Sequence, residues 1–274
     1  MPELPEVETI KREFAQVLTG RRIESVEVRS PIILDIPSSQ FVGRVEGAEF
    51  RNVTRRAKYL VVDLSNGFSL IIHLKISGQL LYVLPDRPID DYTHIIFNLD
   101  DGKQLRLRDV NSFASIWLFK TTDIPSFFAY RKMGPEPLSP NFTYESFRAL
   151  IKRHPRAMIK PLLINQHFVA GIGSIYADEI LFYARVHPAR KVSDLSEEEI
   201  RRIYDGTRQI LPEAISHRGT TTQFYLDLRG QKGEHQNYLK VHAKAGKPCE
   251  GCPGVVEKIE LSGRGTYLCP SCQH

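Results

Sequence analysis

The 274 residues are enough for two domains, and 42% hydrophobic with 25% charged residues is the composition of a soluble globular protein. No apolar run reaches the roughly 18 residues of a membrane span, and no secretory leader is recognisable ahead of the first helical pattern. The net charge of +5 and a pI near 9.0 favour a polyanionic partner without naming one, and because no cysteine precedes position 249 most of the chain carries no disulfide, which fits a reducing compartment.

Residues 5–18 predict an amphipathic helix, because Val7, Ile10, Phe14 and Val17 recur at helical spacing and Gly20 stops it. From Ile23 to about Leu118 the pattern is β. Tyr59–Leu64 and Phe68–Leu74 flank the turn pair Asn66-Gly67, and Ile95–Leu99 and Gln104–Leu107 flank Asp100-Asp101-Gly102. Many short strands behind one helix predict a β-sandwich or flattened barrel. The stretch Gly134-Pro135-Glu136-Pro137-Leu138-Ser139-Pro140 can continue neither a helix nor a central strand. Beyond it Tyr144, Phe147, Leu150 and Ile151 share a helical face, Ile159, Leu162 and Leu163 form a short stripe, Ser174 to Tyr183 reads as a third helix, and Ser196-x-x-Glu199 is a capping box opening a fourth that Pro212 would kink. Residues 217–237 have no period and read as a mobile loop. The expectation is an α+β chain: a helix and β-sandwich over 1–133, a linker at 134–141, a helical domain over 142–237 that includes the loop, and a metal-stapled finger over 238–274.

Several motifs carry chemistry. Cys249-x2-Cys252-x16-Cys269-x2-Cys272 puts four thiolates on two tight turns, which suits one tetrahedral zinc. Four sulfur ligands leave no open position, so this zinc is structural rather than catalytic. Between the knuckles, Ser262-Gly263-Arg264-Gly265-Thr266 is either a solvated hairpin tip or a turn that presents an arginine fork to a phosphate. Gly171-Ile172-Gly173-Ser174-Ile175-Tyr176 ends a loop and starts a helix, a place where phosphates bind, although a plain tight turn explains it equally. The cluster Lys152, Arg153, His154, Arg156 and Lys160 is a solvated face or, with that turn, a backbone-gripping surface. At the start, Met1-Pro2-Glu3-Leu4-Pro5-Glu6 is an ordinary helix entry or, once Met1 is trimmed, a reagent. Free Pro2 would carry a secondary amine that is partly neutral near pH 7, able to form an iminium, with Glu3 and Glu6 at hand for proton transfer. Lys58 leads into a strand; His73 ends one and His94 begins another; Phe113 lies in a loop. Each of these has an ordinary structural explanation when taken alone.

In their order and spacing these segments resemble bacterial formamidopyrimidine-DNA glycosylases of the formamidopyrimidine/endonuclease VIII superfamily, from Met1 to Gln273. The resemblance rests on Pro-Glu-Leu-Pro-Glu-Val-Glu-Thr at 2–9, Arg-Arg-x-Lys-Tyr-Leu at 55–60, Gly-Pro-Glu-Pro-Leu at 134–138, the helix–two-turns–helix segment around 171–176 and the zinc finger with Gly-Arg-Gly-Thr-Tyr at 263–267. It implies a base-excision repair enzyme acting on damaged or abasic double-stranded DNA as a monomer, in the cytoplasm and nucleoid, with one structural zinc and no catalytic metal. Pro2 would attack C1′ and expel an oxidised purine, a formamidopyrimidine or 8-oxoguanine; β- and δ-elimination would then cut the strand. Glu3 would move protons, and Lys58 and Arg264 would clamp the phosphates. Glu6 matches a supporting glutamate, and His73, His94, Arg156, Lys160, Ser174 and Tyr176 match backbone-contacting or supporting positions. The base would be rotated out of the duplex, because C1′ cannot be reached inside the stack.

Three positions depart from the pattern. Ile76 stands where the family usually has the methionine that fills the hole left by the flipped base; it is shorter and stiffer. Asn111 stands where an arginine reads the cytosine opposite the lesion, and Ser174 replaces a phosphate-binding asparagine. Phe113, the third member of the wedge, is kept. The lyase chemistry is therefore expected to persist with altered specificity; the runner-up reading directs the same chemistry to hydantoins, oxidised pyrimidines or abasic sites with weak opposite-base dependence. A damaged-DNA-binding protein without catalysis is the alternative from another class.

Overall fold

A computed structural model describes residues 1–274 and divides them into two compact units, Met1–Arg131 with His217–Gln236 and Lys132–Ser216 with Asn237–His274. In the first unit α1 (Leu4–Val17) is followed by β1 (Ile23–Val28), α2 (Ser38–Val45), β2 (Phe50–Arg56), β3 (Tyr59–Leu64), β4 (Phe68–His73), β5 (Gly78–Val83), β6 (Thr93–Leu99), β7 (Gln104–Asp109), β8 (Ser115–Lys120) and α3 (Ile124–Tyr130). The strands form two four-stranded antiparallel sheets, ordered β1-β6-β7-β5 and β2-β3-β4-β8. Alternate residues of both sheets, such as Leu60, Val62, Leu70 and Ile72 on one and Ile95, Phe97, Leu105 and Leu107 on the other, bury into one core with Val7, Ile10 and Phe14 of α1. The helix α2 interrupts the expected β stretch. Phe41 and Val45, four residues apart, give it the only buried stripe it needs.

The second unit holds α4 (Tyr144–Ile151), α5 (Ile159–Leu163), α6 (Ser174–Ala184), α7 (Glu197–Ser216) and the hairpin β9 (Glu257–Leu261)–β10 (Arg264–Leu268). The capping box forms as expected: Ser196 Oγ accepts the Glu199 N–H at 3.2 Å and Glu199 Oε2 accepts the Ser196 N–H at 2.8 Å. Helix α7 carries Pro212 in its interior and runs on to Ser216. The proline-rich linker packs within this unit, Gly134 donating to the Gln166 carbonyl at 2.8 Å and Ala170 to that of Pro135 at 3.0 Å.

The loop at 217–237 departs from expectation. Its residues His217–Gln236 cluster with the β-sandwich, not with the helical domain. The cause is a set of polar anchors without sequence period: Tyr82 of β5 donates its N–H to the Leu228 carbonyl at 2.7 Å, Gln79 Nε2 donates to that of Phe224 at 2.5 Å, and Glu13 accepts the Leu228 N–H at 2.9 Å. Tyr225 and Leu228 add apolar burial to the sandwich core.

Candidate active site and zinc finger

The amino-terminal end of α1 is unusually buried for a chain terminus. Pro2 is buried, and Glu3 and Glu6 are 2% and 1% exposed. Glu6 Oε2 reaches back to accept the Glu3 N–H at 2.7 Å in a capping-box arrangement, while its Oε1 accepts the Thr220 N–H at 2.7 Å. One carboxylate thus ties the start of the helix to the 217–236 loop. Gly219 has φ +77°, and a Cβ there would stand 2.8 Å from Glu6 Oε1, so glycine is required on both counts. At this end burial lowers the proton affinity of the Met1 amine below its ordinary value, Lys58 adds to the effect, and Glu3 and Glu6 oppose it. Met1 precedes Pro2 in this chain, so the Pro2 nitrogen is reactive only after Met1 is removed.

Lys58 sits in the two-residue turn Ala57-Lys58 that joins β2 to β3, with Ala57 at φ 54° and Lys58 buried. Arg55 fixes this turn to α1: its Nε donates to Glu8 Oε2 at 3.0 Å and its Nη1 to the Ala57 carbonyl at 2.9 Å. Burial pushes the Glu8 carboxyl up, but hydrogen bonds from Arg12, Arg55 and Lys11 outweigh it and hold the group below the usual range.

His73 ends β4, edge-on to Tyr59 with ring centroids 4.5 Å apart. Burial, with Lys75, Lys58 and Arg131 nearby, holds its pKa down at about 3. Its Nδ1 accepts the Lys75 N–H at 3.0 Å, so the neutral ring carries its hydrogen on Nε2. His94 differs: its Nε2 is bonded to the Asp109 carbonyl at 2.9 Å, which makes that nitrogen the donor and leaves Nδ1 buried without a partner.

The expected wedge comes from two turns. Gly78 closes one with its N–H on the Leu74 carbonyl at 2.9 Å, a Cβ at this glycine would sit 2.5 Å from the same oxygen, and Ile76 projects 44% exposed from the tip. The other folds around the buried carboxylate of Asp109, which accepts N–H groups from Asn111 at 3.2 Å, Phe113 at 2.7 Å and Ala114 at 2.6 Å, and the Ser77 hydroxyl. Phe113 emerges 55% exposed. Asn111 lays its Nδ2 on Ser77 Oγ at 2.8 Å. Since Ser77 gives its only hydrogen to Asp109, it can only accept from Asn111, and the amide orientation follows.

In the second unit, Gln166 builds the glycine turn before α6. Its Oε1 accepts the Gly171 N–H at 2.8 Å and its Nε2 donates to the Ile172 carbonyl at 2.7 Å. Ser174 is half-buried at the helix start, while Tyr176 is fully buried. Arg156 is exposed. Lys160 is not on the surface: it is 1% exposed, pairs with Asp178 Oδ1 at 2.7 Å, and donates to Thr266 Oγ1 at 2.8 Å and the Gly265 carbonyl at 3.1 Å. Its place in the basic cluster of the sequence is therefore that of a support beneath the finger. His242 Nδ1 meets Asp178 Oδ2 at 2.8 Å, and the neighbouring Glu179 accepts three successive N–H groups from Lys240, Val241 and His242.

Arg264 begins β10 directly after the two-residue turn Ser262-Gly263, whose φ values of 51° and 71° suit a tight hairpin, and it is exposed. The four cysteine sulfurs lie within 4.8 Å of one another, with Cys249–Cys272 at 3.7 Å and Cys252–Cys269 at 3.6 Å. A zinc tetrahedron with bonds of about 2.3 Å has sulfur–sulfur edges of about 3.8 Å. The thiols therefore fit one structural zinc without rearrangement.

Sequence reading misses Ser77, Asp109, Gln166, Asp178 and Thr220. Their partners are far apart in sequence or reached through backbone groups, so no spacing reveals them. The Gly219 position is visible only as part of a glycine-rich stretch.

Three family models match the chain in order: the formamidopyrimidine-DNA glycosylase N-terminal domain over residues 1–116, the formamidopyrimidine-DNA glycosylase H2TH domain over 133–225, and the zinc finger found in FPG and IleRS over 246–274. Proteins named formamidopyrimidine-DNA glycosylase from Desulforamulus reducens and Listeria innocua are 41% and 40% identical to it, each over 100% of this chain and 99% and 100% of theirs. The Lactococcus lactis Fpg bound to abasic-site DNA matches with TM-score 0.93 and 34% identity over 99% of each chain. A mutant of that Lactococcus lactis protein in complex with Fapy-dG containing DNA matches with TM-score 0.94 and 34% identity over 100% of each. The chain belongs to the formamidopyrimidine-DNA glycosylase family.

Proposed function

We propose that this chain is a base-excision repair DNA glycosylase with AP lyase activity, taking oxidised purines from double-stranded DNA. After Met1 is removed, the Pro2 nitrogen attacks C1′ of the damaged nucleotide as the base departs. The product is an iminium, cationic at any pH. It acidifies the C2′ proton, so the 3′ phosphate leaves by β-elimination and the 5′ phosphate by δ-elimination. Glu3 shuttles protons during base loss and sugar opening. Lys58 and Arg264 stabilise the phosphates flanking the extruded nucleotide. His73, with Nε2–H available as a donor, Arg156 and the Ser174 hydroxyl grip the backbone, while Ile76 and Phe113 occupy the stack. Zinc supplies no step; it holds the hairpin that carries Arg264.

The observation that carries this reading is the burial of Pro2 together with Glu3, Glu6 and Lys58, which leaves a proline amine, once freed, among buried groups able to move protons and carry charge. The test is borohydride trapping on abasic-site DNA with protein whose mass shows Met1 absent. A covalent adduct is expected, and its absence from Pro2-terminated protein would refute the assignment. A second reading keeps the chemistry and relaxes opposite-base selection. It is supported by Asn111, whose amide is committed to Ser77 and lacks a guanidinium's fork.

A further inference from the structure

The loop 84–92, between β5 and β6, covers part of the outer face of the sheet β1-β6-β7-β5. It leaves a cavity of about 40 Å³ there, lined by Leu81, Val83, Arg87, Asp90, Arg106 and Arg108 among others. Three guanidiniums and one carboxylate face this space. The carboxylate is already committed: Asp90 accepts Arg108 Nε, the Thr93 hydroxyl at 2.9 Å and the Tyr92 N–H at 3.2 Å.

Arg106 is 3% exposed, and all its acceptors are neutral. Its Nε donates to Gln104 Oε1 at 2.8 Å, its Nη1 to the carbonyls of Arg87 and Pro88 at 2.9 and 3.2 Å, and its Nη2 to that of Pro85 at 3.2 Å. One N–H of Nη2 is left over. Burial and the neighbouring Arg87 both act against its charged form. Arg108 spends only Nε on Asp90 and one Nη1 hydrogen on Gln79 Oε1 at 3.1 Å, and the exposed Arg87 side chain makes no hydrogen bond. A buried cation is stable only when it is paired, and Asp90 alone does not balance three.

Guanidinium forks match oxyanions. Three of them need at least three acceptor oxygens, which a phosphate offers and a carboxylate does not. One water needs about 10–15 Å³, so the cavity has room for several atoms, and the exposed rim at Arg87 and Pro88 leaves the rest of the ion in solvent.

We propose that Arg87, Arg106 and Arg108 bind one small oxyanion of the phosphate class. The bound ion bears on the 217–236 loop by two routes. Arg108 holds Gln79, whose Nε2 donates to the Phe224 carbonyl, and Arg87 Nη1 lies against Gly230, where a Cβ would stand 3.2 Å from it. An occupied site therefore braces, from the sheet side, the loop that Glu6 grips at Thr220. The site is separate from Pro2, and its test needs no catalysis.

Titrating the zinc-loaded full chain with inorganic phosphate, at ionic strength held constant with chloride, tests this through the arginine Nε–H resonances. The Arg106 signal should shift saturably in the native chain. In R87A, which loses an exposed side chain and so keeps the fold, the midpoint should rise at least about tenfold, the loss of one charge-assisted contact. Undamaged duplex DNA, added in place of phosphate, distinguishes the source: the same shift identifies a backbone phosphate, its absence a free ion. No saturable shift with phosphate, or an unchanged midpoint in R87A, would overturn the proposal.

Discussion

Replacing Lys160 by methionine separates two roles that a basic residue in this sequence can play. In the structure Lys160 and Asp178 form a buried pair at 2.7 Å, both at most 1% exposed. Removing the cation leaves a buried carboxylate uncompensated, a change worth about 3–5 kcal/mol. His242 remains 2.8 Å from the other oxygen, which places the expected loss near the lower end, about 3 kcal/mol. The ammonium also holds β10 through Thr266 and Gly265, so the loss should be local to the finger and α6. Hydrogen exchange at the amides of Thr266 and Leu268 is the suitable assay, since it reads opening region by region. Their exchange should speed up on the order of 100-fold. The salt dependence of DNA binding should keep its slope, because a buried ammonium releases no counterion on binding. Arg156→Ala should do the reverse, lowering the slope by about one while leaving exchange alone. Unchanged exchange in K160M together with a slope reduced by one would refute the assignment of Lys160 as a support.

Three further outcomes follow from the geometry. Asn111→Arg should restore a preference for cytosine opposite the lesion of roughly 10-fold or more, since one bidentate contact discriminates by about 1–3 kcal/mol; a cleavage matrix over the four opposite bases measures it, and an unchanged matrix would remove residue 111 from base reading. His73 is neutral in the fold with its pKa held at about 3, against 6.5 when exposed. The unfolded chain therefore binds more protons between those values, so stability should be complete above pH 6.5 and decline as pH falls towards 3, by about 5 kcal/mol at the limit. Urea midpoints of the native chain and H73Q from about pH 7.5 to about 4.5 would show it, the variant having the shallower decline. Stripping zinc with a chelator should release one cysteine-bound ion and abolish ordered exchange protection in β9 and β10, because four thiols and two five-residue strands hold too little apolar area to fold alone.

Much of this molecule is legible in its sequence where the signal is periodic or local. The apolar runs of β3, β4, β6 and β7 are bracketed by turn residues, Asn66-Gly67 and Ser262-Gly263 fall at hairpin turns, and the cysteine spacing anticipates four sulfurs in one cluster. Helix α2 is lost among strands because eight residues with two buried apolar positions give no clear period. The 217–236 loop escapes sequence assignment for a stronger reason. It precedes the finger and follows α7 in the chain, but Glu6, Glu13, Gln79 and Tyr82 hold it, and their partners are mostly its backbone groups. Backbone acceptors and donors exist at every residue, so no side-chain pattern encodes such a bond. Lys160 fails similarly: a lysine in a basic cluster reads as surface until Asp178 and β10 are seen to enclose it.

The common device beneath the functional loops is a buried carboxylate that collects backbone N–H groups. Glu6 takes those of Glu3 and Thr220, Asp109 those of Asn111, Phe113 and Ala114, and Glu179 those of Lys240, Val241 and His242. Charge-assisted bonds of this kind are worth about 1.5–3 kcal/mol each, more than a neutral pair. They also fix a loop's shape without contributing anything to its exposed face, which leaves Ile76, Asn111 and Phe113 open to change without loss of the scaffold. Asp109→Asn tests this division of labour. The amide must turn an NH2 towards either Ser77 or the paired N–H groups of Phe113 and Ala114. Opposing donors at the second position should raise the exchange rate of those two amides about 10- to 100-fold, for a loss of about 1.5–3 kcal/mol. The strands of β7 and β8 should keep their protection, since their ladder does not pass through the Asp109 carboxylate. If the loop amides in D109N stayed as protected as in the native chain, the carboxylate would not be what shapes this turn, and the freedom of its exposed residues would need another source.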